Sequence, residues 1–256
     1  MTAHHQVMQL SKRAESIIGS PFEWCHIPSG KVTLRDASDY GGTTGGIFQV
    51  PDFAIGKYLI TNGQYKIFVE HPNGFRDVHW WHYSTQAMQW RKDHPNPKPT
   101  AFAGIDLPCT RVSWFYSVAF CNWLSAALNA TVRLPTEQEW QRAAIGDTGW
   151  SYAWGNEFDE TRGNFAKRIG KVSAVGSFPN GQSPFGVMDM IGNLWEWCLT
   201  IWGTESTDLA GYNYRVFRGG AWNVSNPEYL QAIDRGEGHS PRGRLNDCGF
   251  RIALEY

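Results

Sequence analysis

The sequence predicts an α+β fold of short strands, two or three helices and a large share of irregular loop. Three observations point there. The 256 residues carry thirteen Trp, ten Tyr and fourteen Phe beside 27 Gly and 13 Pro, a composition that builds a core from large flat rings and breaks the chain with frequent turns. Thr61 with Gln64, and Thr136 with Glu139, have the spacing at which a hydroxyl and a longer polar side chain satisfy the unpaired backbone donors of a helix's first turn. The C-terminal stretch holds two strand-like pieces, residues 215–223 and 248–253, fixed by Gly, aromatic and Arg residues. Between them runs a segment with neither helical nor strand periodicity. A hydrophobic share of 42% is enough for one core, and one domain is expected.

In chain order, residues 1–22 are polar and read as an N-terminal arm or short helix with little to bury. The single domain is expected over residues 23–256. Residues 36–46, with four glycines, read as a flexible loop. Residues 53–68 read as a strand running into the helix that starts after Thr61. Residues 71–103 have the character of an insertion, with Trp80, Trp81, Tyr83, Trp90 and four prolines. Its rings are expected to pack under a loop and to offer a rim for a binding surface, while His79 and His82, without a third ligand, make a poor metal site. Farther on, Phe120, Trp123, Leu124 and Ala127 fall at i, i+3, i+4 and i+7, one core-facing stripe. After Thr136 a further helix turns Trp140, Ala143 and Ala144 inward. Trp195, Trp197, Trp222 and Phe250 are expected to stack beneath the C-terminal surface, where Trp195→Ala would cost on the order of 3 to 5 kcal/mol.

A formal net charge of −1 with no basic block gives no electrostatic case for nucleic acid or a membrane surface as partner. Cys25, Cys109, Cys121, Cys198 and Cys248 include no Cys-x-x-Cys pair, so reduced, buried thiols are expected. The N-terminus lacks the apolar stretch of a secretory signal, and no run reaches the ~20 apolar residues of a membrane span, which reads as a cytoplasmic protein.

Arg133-Leu-Pro-Thr-Glu-Gln-Glu-Trp140, Phe185 to Trp197, Arg218-Gly-Gly-Ala-Trp222, the punctuation Pro227, Arg235, Pro241 and Arg244, and Gly249-Phe-Arg251 together resemble the formylglycine-generating enzyme, or sulfatase-modifying factor, family. The resemblance implies a C-type-lectin-like fold and a choice among sulfatase-activating oxidases, ergothioneine-type synthases and the variable ligand-binding proteins of diversity-generating retroelements. In the oxidases, two cysteines after the Gly-Gly-aromatic motif bind copper; Val224 and Tyr229 hold those positions here. Neither supplies the soft thiolate that Cu(I) prefers, so no redox metal and no enzyme activity are expected.

The segment after Trp222 is most similar to the variable region of the retroelement proteins. That similarity implies exchangeable, ligand-contacting positions at Val224, Ser225, Tyr229, Ile233, Asp234, Gly236, Gly238, His239, Gly243, Leu245, Asp247 and Cys248. The ligand would be a protein, bound without being transformed, as by an antibody loop on a rigid scaffold. The resemblance also implies a structural calcium ion held by the carboxylates of Asp189 and Glu196 and the carbonyls of Gly192 and Leu194. The family's other calcium position, at Asn164 and Phe165, lacks its downstream Asp. The competing readings are an oxidoreductase of the formylglycine-generating type and a regulatory scaffold domain with a fixed partner.

Overall fold

Helix α1 (Ala3–Ile18) changes the reading of the N-terminus. The structure, a computed structural model, describes the backbone from residue 3 and side chains from residue 5 to residue 256; residues 1 and 2 of the expected arm lie outside the described residues. Val7, Leu10, Ala14 and Ile18 are buried. Their spacing of three, four and four residues makes one apolar stripe, which packs against the first strand and two later helices. The arm is therefore part of the core, because its polar average conceals a helical stripe. Trp24 N–H donates to Ser11 Oγ at 2.9 Å, and Arg13 Nη2 donates to Leu128 O at 2.8 Å.

The chain continues through β1 (Trp24–Ile27), β2 (Gly30–Leu34), β3 (Gly46–Val50), β4 (Phe53–Gly56), α2 (Asn62–Glu70), α3 (Thr85–Asp93), α4 (Trp114–Leu128), β5 (Thr131–Arg133) and α5 (Glu137–Ile145). The last strands are β6 (Trp195–Ile201), β7 (Arg215–Arg218), β8 (Gly238–His239), β9 (Cys248–Gly249) and β10 (Ala253–Glu255). One antiparallel sheet has the order β1-β4-β10-β5, so the last strand closes against the first ones. A second sheet, β8-β7-β6-β9, carries the C-terminal segment, with β9 parallel to β6. Strands β2 and β3 form a separate hairpin. Among the described residues no helix is long and apolar enough to cross a membrane.

Both expected capping boxes form. Gln64 N–H donates to Thr61 Oγ1 at 3.3 Å while Thr61 N–H donates to Gln64 Oε1 at 3.0 Å; Thr136 and Glu139 do the same at 3.1 and 2.8 Å. Helix α4 goes beyond a single stripe, since Trp114, Phe115, Tyr116, Phe120 and Trp123 are all buried on different faces. Its stripe ends on buried Leu128, with Ala127 turned to solvent. The wider burial follows from residues 71–103, which lay a short 3-10 turn (Val78–Trp81) and α3 over the helix. Phe75 and Trp81 meet edge to face at 5.4 Å, and both meet Tyr116, at 5.1 and 5.6 Å. Most of the insertion's rings thus fill core; Trp90 also touches the C-terminal segment, under the Arg244 guanidinium at 5.5 Å.

The expected four-ring stack disperses into separate packings. Trp197 lies against Phe217 at 4.1 Å, Phe250 against Phe120 at 5.5 Å and Trp222 against Phe102 at 5.8 Å, while Trp195 is only partly buried. The energetic weight moves with burial. Trp197→Ala is expected to cost on the order of 3 to 5 kcal/mol, since it empties a core site and strands the Val112 carbonyl that its indole N–H meets at 2.9 Å. Trp195→Ala is expected to cost about 1 to 2 kcal/mol. Urea unfolding of both variants checks the order, which fails if Trp195 proves the costlier.

Candidate functional site

The site is framed by a charge cluster at the start of α5. Glu137 is fully buried. Arg218, at the end of β7, donates to its Oε1 at 2.9 Å, and Arg235 donates to Oε1 and Oε2 at 2.9 and 2.7 Å. All but the Arg218 Nε of the remaining donors are also used. Arg218 Nη2 reaches Gln141 Oε1 at 2.7 Å and Ala232 O at 2.5 Å, and Arg235 Nη1 reaches Arg35 O and Thr43 O, both at 3.0 Å. One carboxylate thereby joins α5, β7, the segment after residue 226 and the glycine-rich loop near residues 35–46.

Between that loop and that segment opens a cleft of about 900 Å³ with Trp195 and Phe217 in its lining. Of the expected binding positions, Tyr229, Ile233, Asp234, Gly236, Gly238, His239, Leu245 and Asp247 line it. Four do not. Ser225 is exposed outside the cleft. Val224 packs on the core, and its carbonyl accepts Ala166 N–H at 2.7 Å. Gly243 backs the cleft, since a Cβ there would stand 2.8 Å from the His239 ring. Cys248 is wholly buried in β9, opposite Trp195.

Three expected positions are corrected, Gly236 because its φ of +59° disfavours any side chain and two on steric grounds. Cys248 faces the interior, and burial pushes its thiol well above the ordinary range. A side chain at Gly238 would overlap Trp202 Cβ and Cγ, so this cleft position is fixed as glycine by packing. Arg35, Asp36 and Tyr40, from the opposite wall, were absent from the sequence reading. The glycine-rich loop was visible there, but its pairing with a segment some 190 residues away leaves no local pattern.

The lining is aromatic and acidic. His239 stacks on Phe217 with ring centroids 5.2 Å apart. Asp234 accepts Gly236 N–H at 3.2 Å, and its carboxyl is raised by burial. Asp247 accepts Asn223 Nδ2 at 3.0 Å. Arg35 donates to Gln231 at 3.4 Å.

The thiols offer no reactive centre. All five cysteines are buried and unbonded, and burial lifts even Cys25 to about 11, far from the thiolate that acts as nucleophile or ligand. Val224 is a core-packed side chain, whereas Tyr229 is 57% exposed at the cleft.

The residues expected to hold calcium do not fit a cation shell, because Arg251 takes that place. Its Nε and Nη2 donate to both Glu196 oxygens at 2.6 and 2.8 Å, and Nη2 also meets Met188 O at 2.9 Å. Asp189 instead accepts Gly176 N–H at 2.7 Å, with its carboxyl raised to about 6 by burial. The Gly192 carbonyl accepts Leu194 N–H at 2.9 Å. A metal ion would have to displace a buried, hydrogen-bonded guanidinium.

Residues 15–256 match the family described as the sulfatase-modifying factor enzyme 1-like domain. The chain is 30% identical over 240 residues to hercynine oxygenase of Mycobacterium tuberculosis, a match covering 82% of this chain and 54% of that protein; the chain thus spans about half the length of that relative. It is 29% identical over 274 residues to the inactive C-alpha-formylglycine-generating enzyme 2 of Mus musculus, covering 89% and 84%. Among solved structures, Treponema denticola variable protein 1 superposes with a TM-score of 0.69 at 21% identity, covering 93% of this chain and 97% of that one. PvdO from Pseudomonas aeruginosa gives 0.66 at 22% identity, covering 91% and 94%. These two likenesses concern the fold, the C-type-lectin-like α+β arrangement.

The charge cluster sets the first test of the site. Glu137→Gln leaves two buried guanidinium groups without their carboxylate and is expected to cost about 3 to 5 kcal/mol. Thermal and urea denaturation measure it; a loss below about 1 kcal/mol, the range of exposed pairs, would show that the cluster does not hold the frame.

Proposed function

Because this chain belongs to the family of sulfatase-modifying factor enzyme 1-like domains, whose fold hosts more than one chemistry, we propose that it is a non-catalytic member that binds a ligand without transforming it. The binding surface is the cleft wall between Tyr229 and Asp247, and the partner is a protein. The observation that carries this reading is that eight positions of one aperiodic segment line a single cleft, while every thiol is buried elsewhere. Val224 and Tyr229 stand where the oxidases of the family place their copper-binding cysteines. A relative named as inactive supports the same direction.

The finer form of the reading is a variable protein of a diversity-generating retroelement. Its physical requirement is a stiff base under exchangeable side chains. The Glu137 cluster supplies the first, and the exposed or half-buried Tyr229, Ile233, Asp234, Leu245 and Asp247 supply the second.

The second reading is an oxygenase, favoured by the 30% identity to hercynine oxygenase. The two separate on activity. Purified protein supplied with Cu(I) or Fe(II) and a thiol substrate is expected to consume no oxygen above the metal blank; uptake catalysed at a stoichiometric metal centre would establish the second reading and end the first.

A separate expectation concerns the exchangeable face. Replacing Tyr229, Ile233, Asp234, Leu245 and Asp247 by Ser together is expected to cost about 1 kcal/mol or less per site, most of it at Ile233 and Leu245, which rest partly on the core, whereas Gly238→Ala alone is expected to cost about 1 to 3 kcal/mol by overpacking against Trp202. Thermal denaturation decides. Collapse of the fivefold variant would mean that the face is structural.

A further inference from the structure

We propose that the cleft receives the guanidinium of an arginine side chain carried by the protein partner, laid on the Trp195 indole and met by Asp234 and Asp247. The proposal rests on the binding reading and names the chemistry of its ligand.

The floor comes first. Trp195 is partly buried in the cleft lining. Residue 236 passes beside the ring as a glycine, which keeps a side chain off that edge: a Cβ there would stand 3.5 Å from Trp195 Cζ3 and 3.8 Å from Cη2. The positive φ of Gly236, +59°, disfavours a side chain independently. An uncovered indole face attracts a cation through its ring quadrupole.

The charge of the walls selects that cation. Asp36, Glu228, Asp234, Glu237 and Asp247 contribute five carboxylates. Against them stand Arg235, whose guanidinium is spent on Glu137, Arg35, exposed on the opposite wall, bonded to Gln231 and within electrostatic reach of Asp234, and the His239 ring stacked on Phe217. Asp234 and Asp247 each hold one local donor through Oδ2, Gly236 N–H and Asn223 Nδ2, and each keeps Oδ1 for an incoming one. A concave wall of one sign focuses its field on the space it encloses. Among cations, guanidinium suits the place better than ammonium, being flat, weakly hydrated and able to fork onto carboxylates while stacking on an aromatic ring.

The size of the cleft calls for more than a single side chain. About 900 Å³ exceeds one guanidinium several times over, and the mouth carries Tyr229 and Tyr40, 57% and 77% exposed. An arginine anchor with neighbouring residues on these rings is the arrangement of a protein interface hot spot.

The test is calorimetric titration of the full chain with the blocked tripeptides acetyl-Leu-Arg-Leu-amide and its central Lys, Gln and Glu versions. The Arg peptide is expected to bind about tenfold or more tighter than the Gln peptide, with Lys between them and Glu weakest. Asp234→Asn and Asp247→Asn are each expected to weaken the Arg peptide about fivefold to tenfold, and added salt to weaken it further. Trp195→Ala should abolish the preference for Arg over Lys; should that variant unfold, the two Asn variants carry the test. Equal binding of Gln or Glu peptides, or Arg binding indifferent to both Asn variants, overturns the arginine assignment and leaves the binding reading standing. Absence of binding by any peptide overturns the assignment too. Failure of the binding reading itself would instead appear as oxygen-consuming turnover.

Discussion

One carboxylate holds the cleft end of this molecule together. Glu137 is buried with two guanidinium groups on its oxygens, and the cluster is tolerable in a dry interior only because nearly every donor finds an acceptor: Gln141, Ala232 O, Arg35 O and Thr43 O complete the shell. Removing a partner therefore costs far more than the pair contributes over an apolar replacement, and the geometry is held by necessity. The position of Glu137 has a local cause. The capping box of Thr136 and Glu139 fixes where α5 begins, and Glu137 N–H is pinned to Thr200 Oγ1 at 2.9 Å on β6.

The same device recurs wherever the chain is irregular. Backbone carbonyls in loops, and those of strands left without a ladder partner, must be satisfied when buried. Arginine, with five donors in a fixed fork, can collect several at once. Arg251 takes Gly56 O and Met188 O as well as Glu196, Arg142 takes Pro28 O and Lys31 O, and Arg215 takes Leu199 O and Asp208 O while lying 3.8 Å from the Trp114 ring centroid. A fold short of regular secondary structure is thus cross-linked by buried arginines. At Glu196, one of the residues expected to hold calcium, both carboxylate oxygens are taken by the Arg251 guanidinium.

Local chemistry was legible in the sequence and distant pairing was not. The caps at Thr61 and Thr136, the inward Trp140 and the aperiodic stretch leading to Asp247 follow from spacing alone. The stripe Val7, Leu10, Ala14 and Ile18 was present but outweighed by polar neighbours. The opposite wall of the cleft depends on Arg235 meeting Thr43, 192 residues away, and no periodicity encodes that. The tryptophans misled for a related reason: Trp195 and Trp197 share a strand face by alternation, yet only Trp197 has a large ring, Phe217, across the strand pair to bury it.

The division of labour within residues 229–248 explains how binding could vary without loss of the fold. Leu230, Ala232, Arg235 and Cys248 point into the protein and are buried, and Gly238 leaves room for Trp202. Tyr229, Ile233, Asp234, Leu245 and Asp247 point into the cleft. The inward set is small, apolar or committed to Glu137, so it sets the path of the backbone. The outward set touches the scaffold through the Asp234 turn, the Asp247 bond to Asn223 and the partial packing of Ile233 and Leu245 on the core, and its remaining surface faces the cleft. On the proposed reading, affinity would fall to the cleft-facing residues and stability mainly to the inward ones, the physical condition for a surface that changes partners while its scaffold stays the same.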